Sequence, residues 1–295
     1  MTKKQITVLI SAFLISALLL SVGIYLTFID KGYTDICFLD AGQGDACVIK
    51  TNDNHFVLID GGDKNCGEHT LIPYLEYENI HKLDAVFLSH LHEDHLNGVL
   101  ELIDKDFRID TIYISVSAEV SELYDILKKA TDDKKIPLKP LFDGNELSFG
   151  KVKLSVIASE YMGYVTEDEN DNSLILRMDY GKNSILFTGD ATKTSEAYLK
   201  DNKSIDADIL KVGHHGSSGS SGMAFLSAVS PKLAIISVGR NNRYHLPSEK
   251  TLSSLKVLNI PVARTDLDGT ITVTMTENKI SDVNCSRERK NDNDS

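Results

Sequence analysis

Apolar residues recur along this chain in short β-prone runs separated by turn-rich polar stretches, after one long apolar segment at the start. Alternating or continuous aliphatic runs predict strands at 35–39, 46–50, 55–59, 83–89, 111–115, 151–157, 173–178, 184–188, 207–212 and 233–238. Helical spacing of apolar residues predicts helices at 70–77, 96–103, 120–130 and 192–199. Strands outnumber helices, and the helices lie between them. That order suits a four-layer α/β sandwich, two sheets inside and helices outside. The domain spans about residues 33–281, and the polar stretch 282–295, without apolar periodicity, reads as a disordered tail.

The first thirty residues stand apart. From Gln5 to Ile29 there is no charge, and as a helix about 24 residues at roughly 1.5 Å each exceed the roughly 30 Å hydrocarbon core. Lys3 and Lys4 precede the run, and the basic bias predicts a cytosolic N-terminus, a single-pass anchor and a domain outside the membrane. Ser21-Val-Gly23 offers a signal-peptidase site, so secretion after cleavage is the alternative. The four cysteines match no zinc module and no disulfide framework; Cys37 and Cys47, in apolar strands, read as buried thiols.

Candidate chemistry concentrates where the apolar runs end. Ser89-His-Leu-His-Glu-Asp-His95 places three imidazoles and a carboxylate on one strand-to-helix turn. His90 and His92, two apart on extended backbone, point the same way and can share one metal, while Asp94 and His95, entering the helix, suit a second. Further strand ends carry Asp40 and Asp60, Gly189-Asp190, Gly213-His-His-Gly-Ser-Ser218 and Gly239-Arg-Asn-Asn-Arg-Tyr-His245. Asp190 reads as a helix N-cap, a ligand, or both. Asp60 is suited to orient a ligand histidine from behind, as Asp40 is from its own turn. Nitrogen and oxygen donors without thiolate suit two divalent ions such as Zn or Mn, which share a hydroxide capable of attacking an ester.

With those residues in place, the chain resembles metallo-β-lactamase-fold hydrolases. More narrowly, Leu39-Asp-Ala-Gly-Gln-Gly-Asp-Ala46, Leu58-Ile-Asp-Gly-Gly62, Leu186-Phe-Thr-Gly-Asp190, Leu210-Lys-Val-Gly-His-His-Gly-Ser217 and Asn241-Asn-Arg-Tyr-His245 resemble the metallo-hydrolase domain of ComEC-type competence proteins. The resemblance runs from about Asp35 to about Thr276 and implies an αββα sandwich with a two-metal site. It implies Asp190 as the bridging ligand and His215 as a ligand of the second metal, with His214 facing the substrate. It also exposes a departure. The third histidine that many members supply to the first metal is absent between His95 and His214, and Glu169-Asn-Asp-Asn172 stands there, so Asn170 or Asp171 would serve instead or the first metal is weakly held.

Charge then bears on the substrate. The chain carries −12, unfavourable for long-range attraction of a polyanion, yet residues 208–264 hold seven basic side chains against two acidic, a local +5. Beside the metals such a rim favours a phosphoester, with Ser217, Ser218, Arg240, Asn242 and Arg243 as substrate contacts. Asp94, His214 and His245 are the catalytic candidates, the histidines as proton donors to the leaving oxygen. The expectation is a phosphodiesterase or nuclease acting on DNA. The alternatives are a carbonyl-ester, thioester or lactam hydrolase and a non-catalytic membrane-tethered binding module.

Overall fold

In the computed structural model, residues 3–27, 30–159 and 168–288 are described. The first half runs α1 (Lys3–Thr27), β1 (Thr34–Phe38), β2 (Ala46–Lys50), β3 (Phe56–Gly61), α2 (Ile72–Tyr77), β4 (Lys82–Leu83), β5 (Ala85–Leu88), α3 (Glu93–Asp104), β6 (Arg108–Ile109), β7 (Ile112–Ser115), α4 (Tyr124–Lys134) and β8 (Leu138–Leu141). The second runs β9 (Glu146–Phe149), β10 (Val152–Ala158), β11 (Ile175–Tyr180), β12 (Asn183–Phe187), α5 (Lys193–Asn202), β13 (Ile209–Lys211), α6 (Met223–Val229), β14 (Leu233–Ile236), α7 (Glu249–Val257), β15 (Val262–Arg264), α8 (Thr265–Asp268), β16 (Ile271–Thr276) and β17 (Lys279–Cys285).

Two mixed sheets form, β17-β16-β1-β2-β3-β5-β7-β8 and β15-β14-β13-β12-β11-β10-β9. Strand alternation sends Ile36, Phe38, Ile49 and Phe87 of the first sheet against Leu154, Leu176, Ile185 and Phe187 of the second, with the Phe38 and Phe187 rings 6.0 Å apart. The opposite faces, Val48, Leu58 and Val86 on one sheet and Leu186, Leu210 and Ala234 on the other, pack under helices. The apolar stripes of α2, α3 and α4 cover the first sheet, and those of α5, α6 and α7 the second. The expected four-layer αββα sandwich is therefore what the chain builds. Truncating a ring such as Phe38 between the sheets would cost about 3–5 kcal/mol.

Several expectations change. Residues 282–285 are not a tail: β17 continues to Cys285, pairing Asp282 with Thr274 and Cys285 with Ile271, because the alternation of β16 leaves a ladder edge to cover. Residues 289–295 lie outside the described chain. Helix α4 starts four residues later than the periodicity suggests, and α6, α7 and α8 fall outside the helices that spacing predicts. The first turn of the 70–77 segment is a wider, π-type turn over Gly67–Leu71. Helix α1, 25 residues or about 37 Å at 1.5 Å per residue, is long and apolar enough to cross a membrane, and none of its most apolar stretch is buried against the domain. Phe28 and Ile29, within the expected span, lie outside the described residues.

Candidate metal centre

The central turn is positioned by backbone contact. Helix α3 lies so close to β3 that a Cβ on Gly98 would meet the Gly61 carbonyl oxygen at 1.9 Å, so only glycine permits the approach. His92, at φ −64° and ψ 153°, is still extended and stands immediately before α3, which puts Asp94 and His95 in its first turn. Gly44, at φ +143°, brings its loop against the Asp94 carbonyl, and Asp45 N–H donates to that oxygen at 3.1 Å.

The ends of three strands, β5, β12 and β13, converge here. Ligand atoms of Asp94, His95, Asp190 and His215 all lie within 4.8 Å of one another, and the latter three residues are buried. His95 Nε2 is 3.4 Å from Asp190 Oδ1; His215 Nε2 is 3.1 Å from Asp94 Oδ2 and 3.7 Å from Asp190 Oδ2. Each imidazole is oriented from behind. His95 Nδ1 donates to Asp60 Oδ2 at 2.9 Å, while Asp60 also accepts from the Ser89 N–H and hydroxyl. His215 Nδ1 donates to the Ser237 carbonyl at 3.0 Å, with Asp45 Oδ1 at 3.2 Å. Such anchoring fixes the tautomer and turns Nε2 toward the shared point.

His90 and His92 turn ring nitrogens toward each other, Nε2 to Nδ1 at 3.0 Å. Among the described residues they enter no set of three such ligand atoms within 4.8 Å. His214 is half-buried, its Nε2 3.7 Å from Asp190 Oδ2. Both His214 and His215 have left-handed backbone, φ 50° and 52°, a conformation that β-carbon-bearing residues adopt at a strain.

The donor set fits divalent cations on two observations. His95 Nε2 and Asp190 Oδ1 are buried without a hydrogen-bond partner although they face each other, and unpartnered buried polar atoms are destabilising unless a further group satisfies them. The charges also want a cation. Against a burial that opposes it, the Asp190 and Asp60 carboxylates hold the His95 pKa well above its usual value, and Asp190 and Asp45 push that of His215 up to about 10. Reciprocally, though burial alone would raise them, His215 and His95 hold Asp190 well below the carboxylate range, and Lys211 with His215 brings Asp45 down to about 2. Asp60 is raised, burial outweighing His95, and burial with the neighbouring His95 charge holds His90 well below normal. The positive charge that protons supply here is what metal ions supply when bound.

Some expected site residues lie elsewhere. Asp40 turns to Arg287 and leaves the ligand cluster; Asp45, five residues on, fills the inner position and pairs with buried Lys211 at 2.5 Å. The signal for Asp45 was a carboxylate after glycine at the start of a buried strand. Asp171 accepts from the Thr192 N–H and from the Thr192 and Ser195 hydroxyls, so it ties down the start of α5 and is not turned to the metals. Asn170 Oδ1, by contrast, is buried and unpartnered. Asp190 is not the cap of α5, whose N-terminus Thr192 caps.

A cleft of about 750 Å³ opens over His92 and Asp94, bordered also by Asn242, Arg243 and Tyr244. Asn242 spends its amide on Gly239 and Leu246, holding its own loop. Arg243 is exposed, stacked on Tyr244 at 4.8 Å. Arg240 donates to the Asp266 carbonyl, His245 is exposed outside the ligand cluster, and Ser217 and Ser218 do not line the cleft. The anticipated basic rim does not surround it. Lys211 is buried, Lys232 pairs with Asp208 and Arg264 with Asp266, whereas Asp63, Glu93, Glu122 and Glu169 face the cleft.

Residues 39–240 match the family model described as the metallo-beta-lactamase superfamily. The chain is 33% identical over 265 residues to ComE operon protein 3 of Bacillus subtilis (strain 168), covering 84% of this chain and 34% of that protein. It is 31% identical over 234 residues to Competence protein ComA of Neisseria gonorrhoeae, covering 79% and 31%. It thus spans about a third of the length of these relatives. Its fold is similar to that of the metallo-β-lactamase-fold protein YhfI from Bacillus subtilis, with a TM-score of 0.56 at 14% identity over 82% of this chain and 99% of that one. In family and in fold, with a site suited to divalent metals, the chain belongs to the metallo-β-lactamase superfamily.

Proposed function

We propose that the chain is a metal-dependent phosphodiesterase acting on nucleic acid. The observation that carries this reading is the closed cluster of Asp94, His95, Asp190 and His215 beside the His90–His92 pair, opening into a cleft large enough for a nucleotide. Relatives named for competence turn the phosphoester reading toward DNA. When bound, two divalent ions would supply an activated water and neutralise phosphate charge.

The chain's own residues divide the remaining tasks. Asp94, His95, Asp190 and His215 would hold the tighter ion, and His90 and His92 the weaker, with the unpartnered Asn170 Oδ1 as a further oxygen donor. Asp60 and Asp45 hold the imidazoles in place. His214, half-buried 3.7 Å from Asp190, protonates the leaving oxygen, and Arg243 meets a non-bridging oxygen from the cleft rim. Helix α1 anchors the domain, with Lys3 and Lys4 on the cytosolic side and the site outside; protease added to intact cells should then digest the domain.

The acidic cleft wall favours a second reading, hydrolysis of an uncharged carbonyl ester or thioester. Both are tested by giving the purified full chain, with Mn²⁺ or Zn²⁺, single- and double-stranded DNA, a small phosphodiester, a thioester and a lactone. The proposal expects phosphoester cleavage that Asp190→Asn abolishes. Turnover of the thioester or lactone, with no phosphoester cleaved under any metal, would overturn it.

A further inference from the structure

The Ser-Gly loop after His215 borders a second cavity, of about 480 Å³, that shares no lining residue with the cleft. Helix α5, the loop and α7 bring Lys193, Lys200, Ser221 and Lys250 to its wall. Lys193 Nζ donates to the Ser218 carbonyl. Lys200 is answered by Asp201, but among the described residues no ion pair forms to Lys193 or Lys250. The two stand close enough that, after burial, the charge of Lys250 is what lowers the Lys193 pKa.

Two further groups point the same way. Glu196, the buried acid beside the lysines, turns its carboxylate to the N–H groups of Ser221 and Gly222, and burial pushes its pKa up to about 7, so it offsets the lysines only in part. The Ser221 hydroxyl is fully enclosed and has no hydrogen-bond partner. Two adjacent unpaired ammonium groups and an idle hydroxyl are donors in search of an anion with several acceptor oxygens.

We propose that this cavity holds a phosphate of the substrate remote from the scissile one, so that a nucleic-acid strand crosses the Ser217–Ser218 loop and avoids the acidic wall of the cleft. The inference rests on the phosphodiesterase reading and gives it a direction. It also explains how a chain of net charge −12 takes a polyanion: the attraction is local, on one flank of the site.

The test compares the full-length wild type with Lys193→Gln/Lys250→Gln on a 12-nucleotide single strand and on bis(p-nitrophenyl) phosphate, which has no remote phosphate. The double variant should raise KM for the oligonucleotide at least tenfold while kcat/KM for the small diester shifts less than twofold. Binding of the labelled oligonucleotide to the metal-free chain, measured against salt, should weaken at least tenfold, with the log–log slope flattened by about 1.4 for two lost contacts. Unchanged oligonucleotide KM and binding, or equal losses on both substrates, would overturn the cavity's role. If wild type cleaves neither substrate yet the binding difference persists, the phosphodiesterase reading fails and the lysine site stands as a nucleic-acid contact.

Discussion

The two ends of the metal turn are built to different standards. At the Asp94–His95 end, each imidazole is fixed from behind, His95 by Asp60 and His215 by Ser237, and the ligand atoms close within 4.8 Å around buried Asp190. At the His90–His92 end, the rings face each other and, among the described residues, His90 meets only the Ser89 hydroxyl and the His95 ring besides, while Asp171, one of the expected substitute ligands, is turned away to α5. Supporting residues therefore set the contrast: the His90–His92 end has two imidazoles of the turn and the other end only His95, yet His95 and its partner His215 are the ones fixed by buried acceptors. In the proposed assignment the Asp94–His95 end is the firm site and the His90–His92 end the weaker one.

Asp190 is the largest lever on that contrast, because it faces both His95 and His215. Asp190→Asn should lower kcat/KM for a phosphodiester by more than the roughly 100-fold that losing a residue behind the ligands costs, measured at saturating metal. Asp60→Asn weakens the anchor of His95 and loosens Ser89 at the start of the turn, and should weaken metal affinity about 10- to 100-fold, read by chelator competition.

pH sharpens the comparison in the metal-free chain. His215 titrates near 10 when folded against an ordinary 6.5, so its imidazolium contributes stability that is complete below about pH 6.5 and is lost as pH rises toward 10. The thermal midpoint of metal-free protein should fall across that window, and His215→Gln should reduce the fall, the raised His95 supplying the remainder. A flat profile in wild type would contradict the charge pattern. The smallest effect belongs to Asp171→Ala: a loss of about 1–2 kcal/mol from the cap of α5, seen by thermal denaturation, with kcat/KM within about threefold. A large loss of metal in that variant would restore Asp171 as a ligand.

The layers of the fold were legible because strand alternation and helical spacing are local signals, and the metal turn because its ligands crowd seven consecutive residues. What failed was long-range. Asp40 and Asp45 bracket one glycine loop, and nothing local says which faces inward; Arg287, which claims Asp40, lies just past a strand that read as a polar tail. Lys211 looked like part of a basic rim, yet its partner Asp45 is 166 residues away and both are buried. Charge counted along the chain missed Asp266, which neutralises Arg264 from two positions beyond the counted window.

Metal retention tests the central claim most directly. After dialysis against metal-free buffer, the full chain should keep about one divalent ion per molecule. His215→Ala should lose it, and His92→Ala should keep it. Retention unaffected by His215→Ala, or loss through His92→Ala alone, would contradict the assignment of the firm site to Asp94, His95, Asp190 and His215.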